Sequence, residues 1–383
     1  MRVAINVEQL LYHSPGGVGR YTAQVAGRLP VAVASVAMAP FTARHGTADV
    51  AAALDRAGVA AAPTVLGLPR PLLYEAWHLP GPGMLGPRRL AASLRDVDVV
   101  HAPSVACPPR EGVPLVVSVH DAAPVLFPEA FPRRGLRFHL AGLAATRRRA
   151  DRVLTFTEAA AEEVAAACGI GRDRITVVHH GVEARPADPA GAAALARRGL
   201  DDRPFVLWVG SLEPRKGVGT LVAAMARLRR RGAPAAADAR LVLAGPAGWL
   251  SAGLVADDDR AALGDDLVQT GPLGEAELWA TYAAATVVAV PSRHEGFGYP
   301  VVEAMAAGTP VVASDIPALA EVADGAARLV PPGDVAGWAD AIEHLLADAP
   351  ARDELVAAGR ARAAQLTVAA SLRATAAVYA ALC

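Results

Sequence analysis

Residues 292–312 read SRHEGFGYPVVEAMAAGTPVV, and they place Glu295 and Glu303 on either side of a glycine-interrupted turn. An apolar run, ATVVAVPS (285–292), precedes the turn and another, TPVVAS (309–314), follows the alanine-rich stretch. Two apolar runs joined by a helical stretch describe a strand–helix–strand unit of a parallel sheet. Gly296 and Gly298 supply the backbone freedom of a ligand-facing loop, Pro300 suits the first helical position and Gly308 the helix end. A helix that starts beyond a strand end turns free N–H groups and the positive end of its dipole outward, so a negative ligand is expected there.

The same alternation runs through both halves of the chain. In the first half the predicted strands are 2–7, 97–102, 114–120, 151–157 and 174–181, and in the second 204–210, 239–245, 266–271, 285–292 and 309–314. Nearly continuous Val/Leu/Ile runs fit strands covered on both faces, so the fold class is α/β, twice over. A length of 383 residues suits two domains. The stretch 183–204, rich in Pro, Ala and charge and without a strand, is expected to link domains 1–183 and 184–365. Alanine-rich segments at 48–62 and 351–383 read as helices, and the last of them, 366–383, either completes the second domain or crosses back to the first.

Composition narrows the function. With 37 basic and 38 acidic side chains the net charge is -1, so no global field holds nucleic acid and an anionic ligand must be gripped locally. No apolar run reaches the roughly 18 residues of a membrane span. The start, MRVAINVEQL, lacks a signal-peptide pattern, and the three cysteines are too scattered for a disulfide framework or zinc site. A cytoplasmic chain with reduced thiols is expected.

Local chemistry points to a nucleotide-sugar. A carboxylate accepts hydrogen bonds from two adjacent hydroxyls, so one of Glu295 and Glu303 suits a sugar ring and the other a ribose, with a diphosphate at the helix start between them. Glu303 has a plainer alternative, a favourable interaction with the helix dipole from the first turn. Arg215 and Lys216 follow the strand 204–210, placed to neutralise a diphosphate. Gly16 and Gly17 follow the first strand in VEQLLYHSPGGVGRYT, but Thr22 breaks the dinucleotide glycine pattern. His120 and Asp121 end another strand, where open α/β sheets bind ligands, and His101, His179 and His180 are read as lining or structural.

Taken in order, GGVGRYT (16–22), SVHD (118–121), VGSLEPRKGVGTLVAAMARL (209–228), TGPLGEAELWATYAAATVVAVPS (270–292) and EGFGYPVVEAMAAGTPVVAS (295–314) resemble the family-4 retaining glycosyltransferases, with their Glu-x7-Glu signature. The resemblance covers nearly the whole chain. It implies the GT-B architecture, two Rossmann-like domains with parallel sheets facing across a cleft, and a nucleotide-diphosphate sugar as co-substrate with no cofactor and no metal. It assigns His120 and Glu295 to positioning the reacting groups, and Lys216 and Arg215 to stabilising the departing nucleotide diphosphate. Gly16, Gly17, Gly210, Ser211, Leu273, Gly296, Phe297, Gly298, Tyr299, Pro300, Val301 and Glu303 fall to the donor, and Arg20, Tyr21 and Asp121 to the acceptor. Ser211 stands where the family often carries another arginine. An Asp-x-Asp motif for metal-bound diphosphate is read as absent, so no divalent cation requirement is expected.

The resulting expectation is retaining transfer of a hexose, with mannose from GDP-mannose first by analogy, to a hydroxyl of a glycan, lipid-linked or small-molecule acceptor. A nucleotide-sugar epimerase and a non-catalytic nucleotide-sugar-binding partner are the alternatives. The segment 131–152 reads as an amphipathic helix packed on its sheet with a solvated basic face. Peripheral contact with anionic lipid at the inner membrane face is its second reading. The oligomeric state is left open.

Overall fold

The computed structural model describes residues 1–12, 16–78, 96–110, 112–185, 188–200, 202–248 and 252–383. The chain divides into two compact units, Met1–Gly181 with Val368–Cys383, and Val182–Thr367.

The first unit is built on a parallel sheet of β1 (Arg2–Asn6), β2 (Ala37–Thr42), β3 (Thr64–Val65), β4 (Val99–Ala102), β5 (Leu115–Ser118), β6 (Arg152–Thr155) and β7 (Ile175–Val177). Its spatial order is β3-β2-β1-β4-β5-β6-β7. The second unit repeats the plan with β8 (Phe205–Val209), β9 (Arg240–Ala244), β10 (Leu267–Gly271), β11 (Val287–Val290), β12 (Val311–Ser314) and β13 (Arg328–Val330), ordered β10-β9-β8-β11-β12-β13. In each sheet the chain works outward from a first strand to one side, then crosses to the other. This reversal creates a switch point between β1 and β4, and another between β8 and β11, where doubly wound sheets take ligands beyond their carboxyl ends.

The apolar runs explain the strands' burial. Val206, Leu207, Val287, Val288, Val311 and Val312 are fully buried, as a sheet covered by helices on both faces requires. Trp208, Leu221, Met225, Leu241, Trp338 and Ile342 belong to the second core, while Phe41, Trp77, Val117, Leu143 and Val153 belong to the first.

Among the described residues, three strands are additional to those read from the sequence. In β2 a proline, Pro40, sits mid-strand and argues against one. The amide of Val7 bonds to the carbonyl of Phe41, so Phe41 faces β1 and Pro40, one residue earlier, faces β3. Pairing with β3 begins only at Phe41, so the missing N–H breaks no ladder bond. The expected linker needs correction as well. Pro189–Arg197 is a helix, capped by the Asp188 carboxylate and packed on the helix Glu275–Ala284 closely enough that a Cβ on Gly191 would lie 2.6 Å from the Ala276 carbonyl.

The helix Val368–Ala380 belongs to the first unit, where the Tyr379 hydroxyl meets Nδ1 of His101 at 2.6 Å. His101 is fully buried and its Nε2 meets Ser118 Oγ at 2.9 Å. Burial holds its imidazole down at a pKa of about 3, with nearby His120 adding to the effect, so it is a neutral structural link.

Candidate functional site

In the second unit the loops after β8 and β11 are tied together at the switch point. Gly217 takes φ +67°, and a Cβ there would stand 1.9 Å from the Pro291 carbonyl oxygen, so only glycine lets the two loops approach. The amide of Arg293 then donates to the carbonyl of Arg215 at 2.8 Å. This brings Lys216 Nζ to 2.6 Å from Glu295 Oε1, which also accepts from Ser292 Oγ at 2.8 Å. Arg215 lies between two carboxylates, with Nε 3.2 Å from Glu213 Oε2 and Nη1 3.9 Å from Glu295 Oε2. Glu213 and Glu295 are only 4% and 8% exposed. Burial alone would raise the Glu295 carboxyl, but Lys216, Arg215 and the Ser292 hydroxyl outweigh it and hold it below its ordinary value.

Beside this pair begins the helix Tyr299–Ala307. Its cap residue, Gly298, takes φ +93°, and a Cβ there would stand 2.3 Å from Leu319 Cδ2. Glycine brings no capping side chain, Pro300 carries no N–H and the Val301 amide donates to the Gly298 carbonyl at 3.0 Å, so the helix start offers chiefly the positive end of its dipole to whatever lies beyond the strand. Tyr299 and Pro300 occupy the first two helical positions and are half-buried, while Phe297 and Val301 are buried, which limits those two to packing and backbone contact. Gly296 is buried in the same turn.

The reading of Glu303 as a first-turn residue is corrected. It is the fifth residue of the helix, 4% exposed, and its Oε2 accepts from the Tyr282 hydroxyl at 2.7 Å. Tyr282 is itself held by the Thr309 hydroxyl, which donates to its carbonyl at 2.6 Å. A buried carboxylate oriented by a buried phenol is built to hold one geometry, beyond what a dipole interaction needs.

The remaining donor residues are dispersed. Gly210 and Ser211 directly follow β8, with the Gly210 amide on the Ala244 carbonyl at 3.0 Å. Leu273 follows β10, the edge strand two places from β8. Gly16 and Gly17 belong to the first unit, exposed at the start of the helix Gly16–Ala23, with Gly16 at φ +59°. Residues 13–15 of the same loop lie outside the described residues.

Also in the first unit, His120 follows β5 and its Nε2–H donates to the Pro103 carbonyl at 2.9 Å, which fixes the tautomer and leaves the lone pair on Nδ1. Surrounding protein lowers its pKa against the opposing effects of Pro103 and Asp121, which favours the neutral ring. His180 stacks on Phe156 with ring centroids 3.6 Å apart, and Tyr21 meets His120 edge-on at 5.6 Å. Tyr21 is 1% exposed with its hydroxyl on Ser118 Oγ at 3.1 Å, so its side chain supports His120 from within. Arg20 is half-buried on the same helix, and Asp121 accepts from the Ala123 amide at 3.0 Å.

Sequence reasoning missed Glu213, Ser292 and Tyr282. Glu213 and Ser292 sit inside the quoted motifs, two and three residues from residues that were assigned, and a search for partners of the assigned charges would have found them. The expected absence of an Asp-x-Asp motif is corrected: the pattern occurs at Asp96–Asp98 and at Asp257–Asp259. Asp98 accepts from the Arg2 amide at the amino end of β1, and Asp259 pairs with Arg230 at the far end of the helix Val218–Arg230. Asp98 therefore lies at the opposite sheet edge from the loop that carries His120, and Asp259 is held at the end of that helix away from Lys216.

Two parallel sheets in the Rossmann order, the second with paired cations, buried carboxylates and a helix start at its switch point, define an α/β protein of the GT-B type. The model for glycosyl transferases group 1 matches residues 203–348, and that for glycosyltransferase family 4 matches residues 15–185. O-antigen chain mannosyltransferase B of Escherichia coli is 30% identical over 305 residues, spanning 78% of this chain and 77% of the relative. The D-inositol 3-phosphate glycosyltransferase of Mycobacterium sp. (strain KMS) is 39% identical over 212 residues, 53% of this chain and 46% of the relative, so the match spans about half the length of that protein. Among solved structures, Anabaena Alr3699/HepE in complex with UDP superposes over 100% of both chains at a TM-score of 0.74 and 20% identity, which speaks for the fold. The chain belongs to the group 1, family 4 glycosyltransferases.

Proposed function

We propose that the chain transfers a hexose from a nucleotide-diphosphate sugar to an acceptor hydroxyl, with retention of configuration and without a metal ion. One observation carries the reading: Lys216 and Arg215 converge on Glu295 beside the start of the helix Tyr299–Ala307, at the second sheet's switch point. An ammonium group has three N–H donors, so Lys216 can keep Glu295 while taking a phosphate oxygen. Arg215, Lys216 and the helix start stabilise the departing diphosphate, and Glu303, oriented by Tyr282, takes the ribose hydroxyls. Glu295 takes the sugar hydroxyls.

The glycosidic C–O bond to the diphosphate breaks, a new C–O bond to the acceptor forms on the same face, and the acceptor's proton passes to the leaving phosphate. Glu295 is assigned to positioning because Lys216 and Ser292 occupy one of its oxygens and its lowered basicity weakens it as a nucleophile. His120, a neutral ring with an accepting Nδ1, is assigned to a hydroxyl of the transferred sugar. Mannose is the first candidate because a relative matched over 77% of its length is a mannosyltransferase.

The test is reaction with GDP- and UDP-hexoses and a panel of sugar acceptors in chelator, with the product's anomeric configuration read by proton NMR. Retained configuration with release of nucleoside diphosphate supports the reading. Inversion, or activity abolished by chelator and restored by Mg2+, overturns it.

A further inference from the structure

A second group of charges lies in the first unit: Glu8 and Tyr12 fall inside the quoted stretch 7–22 but were given no role there, and His45 and Arg70 lie outside every quoted motif. Glu8 follows β1, His45 follows β2 and Arg70 follows β3, so three neighbouring parallel strands deliver them to one carboxyl edge. The Glu8 side chain is 1% exposed; its Oε2 accepts from Thr42 Oγ1 at 2.6 Å and from the Ala43 amide at 2.9 Å. Its Oε1 lies 2.5 Å from His45 Nε2 and 4.0 Å from Arg70 Nε. The guanidinium sits 4.3 Å over the ring of Tyr12. Unlike Glu8, the His45 and Arg70 side chains reach the surface, at 24% and 33% exposure.

Such an arrangement holds a surface guanidinium and a surface imidazole on one buried carboxylate. The hydroxyl and the backbone amide already compensate the charge of Glu8, and only the Nε edge of Arg70 is turned to it. A guanidinium has a second edge, formed by its two Nη groups, that fits a carboxylate or phosphate through two parallel bonds. Backing by Tyr12 and Glu8 reduces the side-chain freedom that binding must remove.

The cluster is connected with His120 along the same edge. His120 bonds to the Pro103 carbonyl, the next residue, Ser104, receives Gln9 Nε2 at 3.5 Å, and Gln9 adjoins Glu8. From β5 to β1 is two strand steps, to β2 three and to β3 four, so the strands that carry the cluster lie roughly 10–19 Å from the one that carries His120 at about 4.8 Å per step, farther than one sugar ring extends.

We infer that Arg70, anchored by Glu8 beside His45, forms an acceptor subsite for an anionic group, a phosphate ester or a uronate carboxylate, carried at least one sugar unit from the hydroxyl that is glycosylated. The inference rests on the transfer reading above for its meaning, and on the geometry of the first unit for its existence.

Binding of three disaccharides tests it by calorimetry at fixed ionic strength: a neutral mannobiose, its phosphate monoester and a uronic-acid disaccharide. An anionic disaccharide is expected to bind the wild-type protein about 10-fold tighter than the neutral one, as a charge-assisted bidentate pair implies. Arg70→Ala should remove that preference and Arg70→Lys restore only part of it, because lysine lacks the fork. The partial exposure of Arg70 lets both variants fold, which their melting curves would verify. Whichever anionic disaccharide holds the advantage identifies phosphate or carboxylate as the group recognised. No difference between charged and neutral disaccharides, binding of none included, overturns the subsite, as does a preference that survives in Arg70→Ala. A nucleoside diphosphate titrated in parallel separates the two readings: its binding without anion preference defeats the subsite alone, and anion preference without nucleotide binding defeats the donor assignment alone.

Discussion

The Lys216 ammonium lies 2.6 Å from the Glu295 carboxylate, with Lys216 following β8 and Glu295 following β11. The pair thus joins two strands that are neighbours in space and 79 residues apart in sequence. In this arrangement the cation proposed for the diphosphate and the carboxylate proposed for the sugar orient each other.

Lys216→Ala should therefore weaken nucleotide-diphosphate binding by about 2–5 kcal/mol, since it removes a charge-assisted bond in a shielded site and leaves Glu295 less compensated. Calorimetric titration of the matching nucleoside diphosphate checks this. Unchanged affinity would remove Lys216 from the site.

The lowered pKa of Glu295 has a defined sign in stability. A carboxyl whose folded pKa lies below its unfolded value contributes stability that is fully present above the ordinary carboxylate range and lost as pH falls through the folded value. Glu295→Gln should flatten that acid-side part of the melting profile of the protein, and an unaltered profile would show that the ion pair contributes nothing to folding.

Buried histidines give the first unit a different acid response. His101 is held at about 3 and His78 at about 4, chiefly by burial, while an unfolded chain protonates both near 6.5. Stability should begin to fall as pH drops below about 6.5, costing about 2 kcal/mol at pH 5 for a residue shifted as far as His101. Amide exchange at pH 7 and pH 5 would locate the loss, which should appear in the β4–β5 region around His101 before the second sheet.

Gly217→Ala should cost well over 1–2 kcal/mol, because a left-handed conformation is added to a clash with the Pro291 carbonyl at 1.9 Å. Its effect on nucleotide binding should exceed its effect on the melting temperature, because the two loops it separates carry Lys216 and Glu295. Equal loss of both would mean that the residue matters only for folding.

Tyr282→Phe removes the hydroxyl that orients Glu303 and leaves a buried carboxylate oxygen short of a donor, at a cost of about 1–3 kcal/mol. The same variant should discriminate less between a nucleoside diphosphate and inorganic diphosphate, as the ribose contact loses its geometry. Preserved discrimination would detach Glu303 from the ribose.

Much of this architecture was legible in the sequence because parallel strands buried on both faces leave unbroken apolar runs, and ten strands announced themselves that way. Those that did not had physical reasons. Pro40 disguised β2, β3 is only two residues long, and β13 is a short edge strand. The helix Pro189–Arg197 was hidden by its composition, although Asp188 followed by Pro189 is a helix-start signal. Within the site, glycine-flanked motifs exposed Glu295, Lys216 and the helix start, since close backbone approach needs glycine at fixed places. The Glu8, His45 and Arg70 cluster left no such trace, because three separate loops bring it together and no spacing in the chain records it.

The most direct measurement is the thermal stability of wild-type and Lys216→Ala protein, in chelator, across UDP-, GDP-, ADP- and dTDP-sugars. At about 100 times its dissociation constant the matching donor should stabilise the wild-type protein by about 2.7 kcal/mol, with the effect greatly reduced in the variant. No stabilisation of the folded wild-type protein by any of the four classes, or equal stabilisation of both proteins, would contradict the account.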